Sequence, residues 1–162
     1  MFEPETAWPA DTAAFALDAH PTCFACRKRA LGGLGLCFRQ DPDGATTAEF
    51  DCDPRYRSYP DRLHGGIVAL LLDTAMTQCL FSRGFRGVTA RLAVRYRAAV
   101  EPGVTPRIRA TVLRSARRRH RLRAEVVQRG TVRATAEALF VSLPPRSDQT
   151  QGAGRPPERN PT

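Results

Sequence analysis

Lysine is almost missing from this chain: Lys28 is the single lysine among 25 basic residues, and the rest are arginine. No apolar run reaches the roughly 20 residues that span a bilayer. The longest candidate, residues 65–82, is interrupted by Asp73, Thr74, Thr77 and Gln78. The N-terminus carries Glu3, Glu5 and Trp8 before any basic residue, which does not fit a secretory signal peptide. Five cysteines, an odd number without such a signal, argue against a disulfide scaffold and for a reducing cytoplasm. No helix-turn-helix pattern, standard zinc-finger spacing or aromatic stacking face accompanies the arginines, which argues against nucleic acid as a partner. What remains is an ordinary globular composition. The 162 residues fit one domain, with 42% hydrophobic residues, 25% charged residues and a net charge of +9. The arginine bias reflects either coding preference or an anionic partner, because guanidinium forks match phosphate geometry.

The composition changes twice along the chain. Residues 1–22 read as an N-terminal extension, in which Pro4, Pro9 and Pro21 interrupt a short apolar stretch. Residues 144–162 are rich in Pro, Gly and polar residues, cannot bury enough surface to offset ordering entropy, and read as a disordered tail. Between them, residues 23–143 mostly alternate with period two. Leu34, Leu36 and Phe38 alternate, then Asp41-Pro42-Asp43-Gly44 supplies turn chemistry, then Ala48, Phe50 and Cys52 alternate, predicting a hairpin. Val88, Ala90, Leu92, Val94 and Tyr96 are predicted on one strand face, with Thr89, Arg91, Ala93, Arg95 and Arg97 opposite. Ile108, Ala110 and Val112, then Leu122, Ala124 and Val126, then Val132 through Phe140 complete the set, with turns at Glu101-Pro102-Gly103 and Gly130.

One element breaks the alternation. Residues 66–81 are rich in helix formers and apolar nearly all round, which predicts a buried helix bounded by Gly65-Gly66 and Gly84. The predicted architecture is therefore α+β, with an antiparallel sheet around one long buried helix. Asp73 is the one charged residue in that helix. A buried carboxylate must neutralise or find a partner, so Asp73 either pairs with an arginine or stands at a pocket edge with chemical work to do. His64-Gly65-Gly66 precedes the helix, whose first N–H groups lack internal partners and favour negative charge, including the oxyanion of an attacked carbonyl. A tight glycine loop with a packing histidine is the plainer reading.

Spacing separates the two features. Eight residues of helix put Gly65 and Asp73 about 12 Å apart, too far to act on one carbonyl within a chain. Two such helices packed antiparallel about a two-fold axis would bring Asp73 of one chain to the Gly65-Gly66 terminus of the other, so a homodimer is expected. Cys23-Phe24-Ala25-Cys26 is an isolated CxxC. With His20 and Cys37 nearby it admits a packing role, a metal site or redox chemistry. The run from Arg114 to Arg121 is predicted as a basic loop, either solvated or clamping phosphate.

HGGIVALLLD at 64–73, followed by VTARLAVRY at 88–96, resembles the hotdog-fold acyl-CoA thioesterases of the phenylacetic-acid-degradation, PaaI-like branch of the 4-hydroxybenzoyl-CoA thioesterase superfamily. The resemblance covers about residues 22–142. The segment from Cys23 to Phe38 is similar to an N-terminal motif in part of that family and departs from it at Arg27, Ala30 and Leu31. The resemblance implies a hotdog fold that hydrolyses acyl-CoA to a free acid and coenzyme A. It implies that the backbone of Gly65 and Gly66 polarises the carbonyl, His64 orients the site, and Asp73 of the facing subunit acts as base or nucleophile. Thr89 matches a position that orients water or the carboxylate, Ser58 replaces an asparagine of some members, and Arg117 and Arg118 are candidates for the nucleotide end of coenzyme A. No metal or separate cofactor is implied, coenzyme A being part of the substrate. A homodimer or homotetramer in the cytoplasm, without a membrane or nucleic-acid partner, is expected. The alternatives are a non-catalytic acyl-CoA sensor or scaffold and a hotdog hydratase or dehydratase, whose Asp/His spacing Asp61 and His64 do not match.

Overall fold

The computed structural model describes residues 19–144 and, ahead of them, Ala16. All but the first residue of the predicted tail at 144–162, and most of the predicted N-terminal extension, lie outside the described residues. Among the described residues, eight strands and one long helix follow in order. They are β1 (Arg39–Gln40), β2 (Thr46–Glu49), β3 (Arg57–Tyr59), β4 (Arg62–Leu63), α1 (Gly65–Phe81), β5 (Gly87–Tyr96), β6 (Arg107–Ala116), β7 (Arg119–Gln128) and β8 (Thr131–Ser142). Six of the strands form one antiparallel sheet in the order β1-β2-β6-β7-β8-β5, and β3-β4 form a small separate ribbon. The helix packs across the inner face of the sheet. This is the α+β hotdog architecture.

Alternation carries the packing. Ile108 and Ala110 of β6, Leu122, Ala124 and Val126 of β7, and Ala134, Ala136, Ala138 and Phe140 of β8 all turn inward and are buried. They meet Leu71, Leu72, Met76 and Leu80 of α1, each of whose side chains contributes about 1.5–3 kcal/mol when fully buried. The small alanines of β8 leave room for the helix to lie close. The helix ends as the sequence predicts: Ser82 closes it, and Gly84 takes φ 72°, a left-handed conformation that glycine adopts without a Cβ clash. Among the described residues no helix is long and apolar enough to cross a membrane.

Three expectations are corrected. The predicted hairpin is shorter on its first side, because sheet pairing begins only at Arg39. Leu34 and Leu36 are buried, but their N–H groups donate to the carbonyls of Phe24 and Ala25, so this segment pairs with the CxxC turn instead. The predicted basic loop is only a two-residue turn at Arg117-Arg118, since β6 runs to Ala116 and β7 starts at Arg119. The simple two-face reading of β5 also fails. A β-bulge between Thr89 and Arg91 leaves Ala90 as the extra residue, so Thr89 opposes Phe140 while Leu92 opposes Ala138. Phe140 and Ala138 both face inward, so Thr89 shares the helix-side face with Leu92 rather than the opposite one.

Candidate active site

Two groups of predicted residues converge, at opposite ends of β5. The first surrounds the start of α1. His64 is the N-cap residue, and its Nδ1 accepts a hydrogen bond from the Gly66 N–H at 2.9 Å. Accepting at Nδ1 assigns the ring hydrogen of the neutral imidazole to Nε2. A Cβ on Gly66 would come within 3.1 Å of that Nδ1, so glycine gives the histidine room to cap. The His64 carbonyl accepts from Ile67 and Val68, and its own N–H donates to Tyr56, which ties the β3-β4 ribbon to the helix start. Among the described residues the Gly65 N–H has no acceptor. It is therefore a free amide at the positive end of a 17-residue helix, where negative charge is favoured.

Tyr96, at the far end of β5, was not singled out from the sequence. Its hydroxyl donates to the Gly65 carbonyl at 2.9 Å and pins the helix start to the edge strand. The period-two pattern gave its face but could not give this bond.

The second group is Asp73 and Thr89. The Thr89 hydroxyl donates to Asp73 Oδ1 at 2.7 Å, a contact that the bulge at Ala90 makes possible. Asp73 was expected in a dry helix interior and is instead half-buried. Among the described residues no guanidinium pairs with it. It retains its second oxygen for other partners, and its backbone carbonyl accepts from Thr77 one turn later.

Among the described residues, none of the remaining predicted residues hydrogen-bonds to either group. Ser58 sits solvent-exposed on β3. Arg117 takes φ 52° in the β6–β7 turn, and Arg118 Nη2 donates to the Ser142 carbonyl at 3.0 Å. Ser142 pairs with Gly87, so this turn stands at the Thr89 end of β5, not the Gly65 end. His120 was read as part of the basic run. The structure buries it completely on β7, with Ser115 Oγ 2.7 Å from Nδ1 and Ser142 Oγ 2.7 Å from Nε2, and burial pushes its pKa down. It is a polar clasp joining β6, β7 and β8. The alternation that leads from Leu122 back to His120 was the available signal. Among the described residues no cluster of three or more His, Cys, Asp or Glu side chains is placed to hold a metal ion.

The thioesterase superfamily model matches residues 61–135, a segment that holds the helix, Asp73 and the whole of β5. The chain shares its fold with a variant of the phenylacetic acid degradation protein PaaI from Thermus thermophilus (23% identity, 72% of this chain and 100% of that one, TM-score 0.63). A Streptococcus mutans protein solved bound to acetyl-CoA is similar at 18% identity, over 67% of this chain and 88% of that one, with TM-score 0.63. A further thioesterase superfamily protein matches with 23% identity and TM-score 0.65, over 68% of this chain, which spans 57% of that protein's length. A search of curated proteins gave no match. The resemblance read from HGG and Asp73 is met by both comparisons: residues 61–135 match the thioesterase superfamily model, and the chain shares the hotdog fold of the PaaI variant.

Proposed function

We propose that this chain is an acyl-CoA thioesterase whose two sites are each shared between the subunits of a homodimer. The observation that carries this reading is the separation of the two groups by the length of β5. That strand is the edge of the sheet: ten residues with one side unpaired, exposing Val88 and Tyr96. Pairing β5 with its copy antiparallel about a two-fold axis lays the Thr89 end of one strand beside the Tyr96 end of the other. Asp73 of one subunit then faces the Gly65 N–H of its partner.

In such a site the thioester oxygen accepts the free Gly65 N–H, and the helix terminus stabilises the negative charge that develops there. Asp73, oriented by Thr89, takes a proton from the attacking water, and the coenzyme A thiolate leaves without needing much protonation. The His64–Gly66 bond holds the loop in place. We assign Arg117 and Arg118 to the phosphates of coenzyme A and Ser58 to a polar substrate contact. The like fold of the Streptococcus mutans protein solved bound to acetyl-CoA supports an acyl-CoA ligand.

The test is thiol release from a panel of acyl-CoAs. The protein should release free thiol from at least one chain-length class, and Asp73→Asn should lower kcat by at least about 100-fold while the dimer stays folded. Undiminished turnover in that variant refutes the assignment.

A further inference from the structure

The sheet face turned away from α1 takes no part in the thioesterase reading, yet its arginines fall into two sets. Arg107 pairs with Asp41, Arg109 with Asp43, Arg121 with Glu137 and Arg133 with Glu101. Among the described residues, Arg95, Arg97 and Arg123 make no ion pair and no side-chain hydrogen bond, and all three are exposed. Register fixes their direction. Arg123 sits between the buried Leu122 and Ala124, and Arg95 pairs with Thr135, which sits between the buried Ala134 and Ala136, so both project away from the helix. Together the three arginines border one hollow of about 500 Å³, which Ala93 and Thr135 also line.

We propose that this hollow binds a chain of two or three phosphates, carried free or as the tail of a nucleotide, apart from the thioesterase centre. Glu137 is the one carboxylate among the described residues lining it, and Arg121 engages that carboxylate at 3.2 Å. Three guanidinium groups therefore border the hollow with no counter-charge of their own. Like charges gathered in this way repel, and an anion lying among them relieves the repulsion. A coding preference sets arginine in place of lysine, but it does not leave one part of a sheet face paired and the other bare.

The spread of the three groups selects the ligand. Arg95 and Arg97 stand two residues apart along the chain, about 6.6 Å, and Arg123 lies two strands away, about 9.5 Å across the sheet. A lone carboxylate or a single phosphate leaves part of that charge uncompensated, whereas successive phosphates offer each guanidinium fork its own pair of oxygens. The Thr135 hydroxyl adds a neutral donor. The hollow has the volume of a small-molecule site, for which about 300–1,000 Å³ is usual. Among the described residues no aromatic ring lines it, so a nucleobase finds no stacking partner there and the phosphates carry recognition. Gly65 and Asp73 belong to α1, across the sheet from this hollow.

The probe is inorganic tripolyphosphate, titrated into the full chain by calorimetry at fixed ionic strength without divalent ions, with orthophosphate and ATP as comparisons. Tripolyphosphate should bind once per chain, and orthophosphate at least about tenfold more weakly. Arg95→Gln, Arg97→Gln and Arg123→Gln should each weaken tripolyphosphate about tenfold, the loss of one charge-assisted contact. Glu137→Gln, which removes the opposing carboxylate, should tighten it, a gain that misfolding cannot mimic. ATP binding as tightly as tripolyphosphate identifies the phosphate chain alone as the ligand, and ATP binding more tightly identifies a nucleotide; both support the site. Arg114 and Arg119 are exposed and unpaired among the described residues but do not line the hollow. Equal losses in Arg114→Gln and Arg119→Gln would reduce the effect to overall charge and overturn the proposal. So would binding that disappears with Arg117→Gln and Arg118→Gln instead, orthophosphate binding as tightly as tripolyphosphate, or no binding at all.

Discussion

The two halves of α1 are buried against their composition: the first holds Ile67, Val68 and three leucines, the second Thr74, Thr77 and Gln78. From Thr74 to Phe81 every residue is buried beneath the sheet. From Gly65 to Asp73 only Val68, Leu71 and Leu72 are buried, and Gly66, Leu70 and Asp73 lie along one incompletely covered face. Composition sets how apolar a helix is, but not which chain covers it. The second half is buried by its own sheet. The first carries the free amide, the carboxylate and a bare face, and it lies alongside an edge strand that is bare as well. That coincidence is what a shared interface would leave behind in a single chain.

This contrast can be broken in order of effect. Gly65→Pro removes the one N–H assigned to the oxyanion and little else. Proline suits the first helical position, His64 already holds φ −59° and ψ 130°, and an added Cβ would meet nothing closer than 3.5 Å. We expect a loss of about 100- to 1,000-fold in kcat with near-unchanged thermal stability. Loss of the fold instead would mean that glycine is needed there for shape. Met76→Ala, in the covered half, should cost about 2–5 kcal/mol in urea unfolding at any protein concentration. Leu70→Ala, in the open half, should cost less than about half of that, and should make the unfolding midpoint more dependent on protein concentration. Equal, concentration-independent losses would place both residues in a single-chain core.

How much of this was legible depends on how local each signal was. The helix limits followed from Gly65-Gly66 and Gly84, and the inward faces of β6, β7 and β8 followed from strict alternation. The bulge at Ala90 was not legible, because no glycine or proline marks it and plain alternation put Thr89 on the wrong face. The Tyr96 bond to Gly65 joins residues 31 apart, and no local pattern encodes it. The segment 34–36 alternated like a strand, but its partner was the CxxC turn, a choice made by tertiary packing. His64 and Asp73 could be singled out because polar residues beside an apolar helix need a reason. Which amide stays free was decided by His64 capping Gly66, a matter of side-chain geometry alone.

Each proposed site draws its amide from one subunit and its carboxylate from the other. Mixing the Gly65→Pro and Asp73→Asn proteins under conditions of subunit exchange tests this arrangement. Each mixed dimer would hold one site with both groups intact, so two nearly inactive preparations should together recover about a quarter of wild-type turnover. A mixture no more active than its separate components, with mixed dimers verified, would show that both groups must come from the same chain.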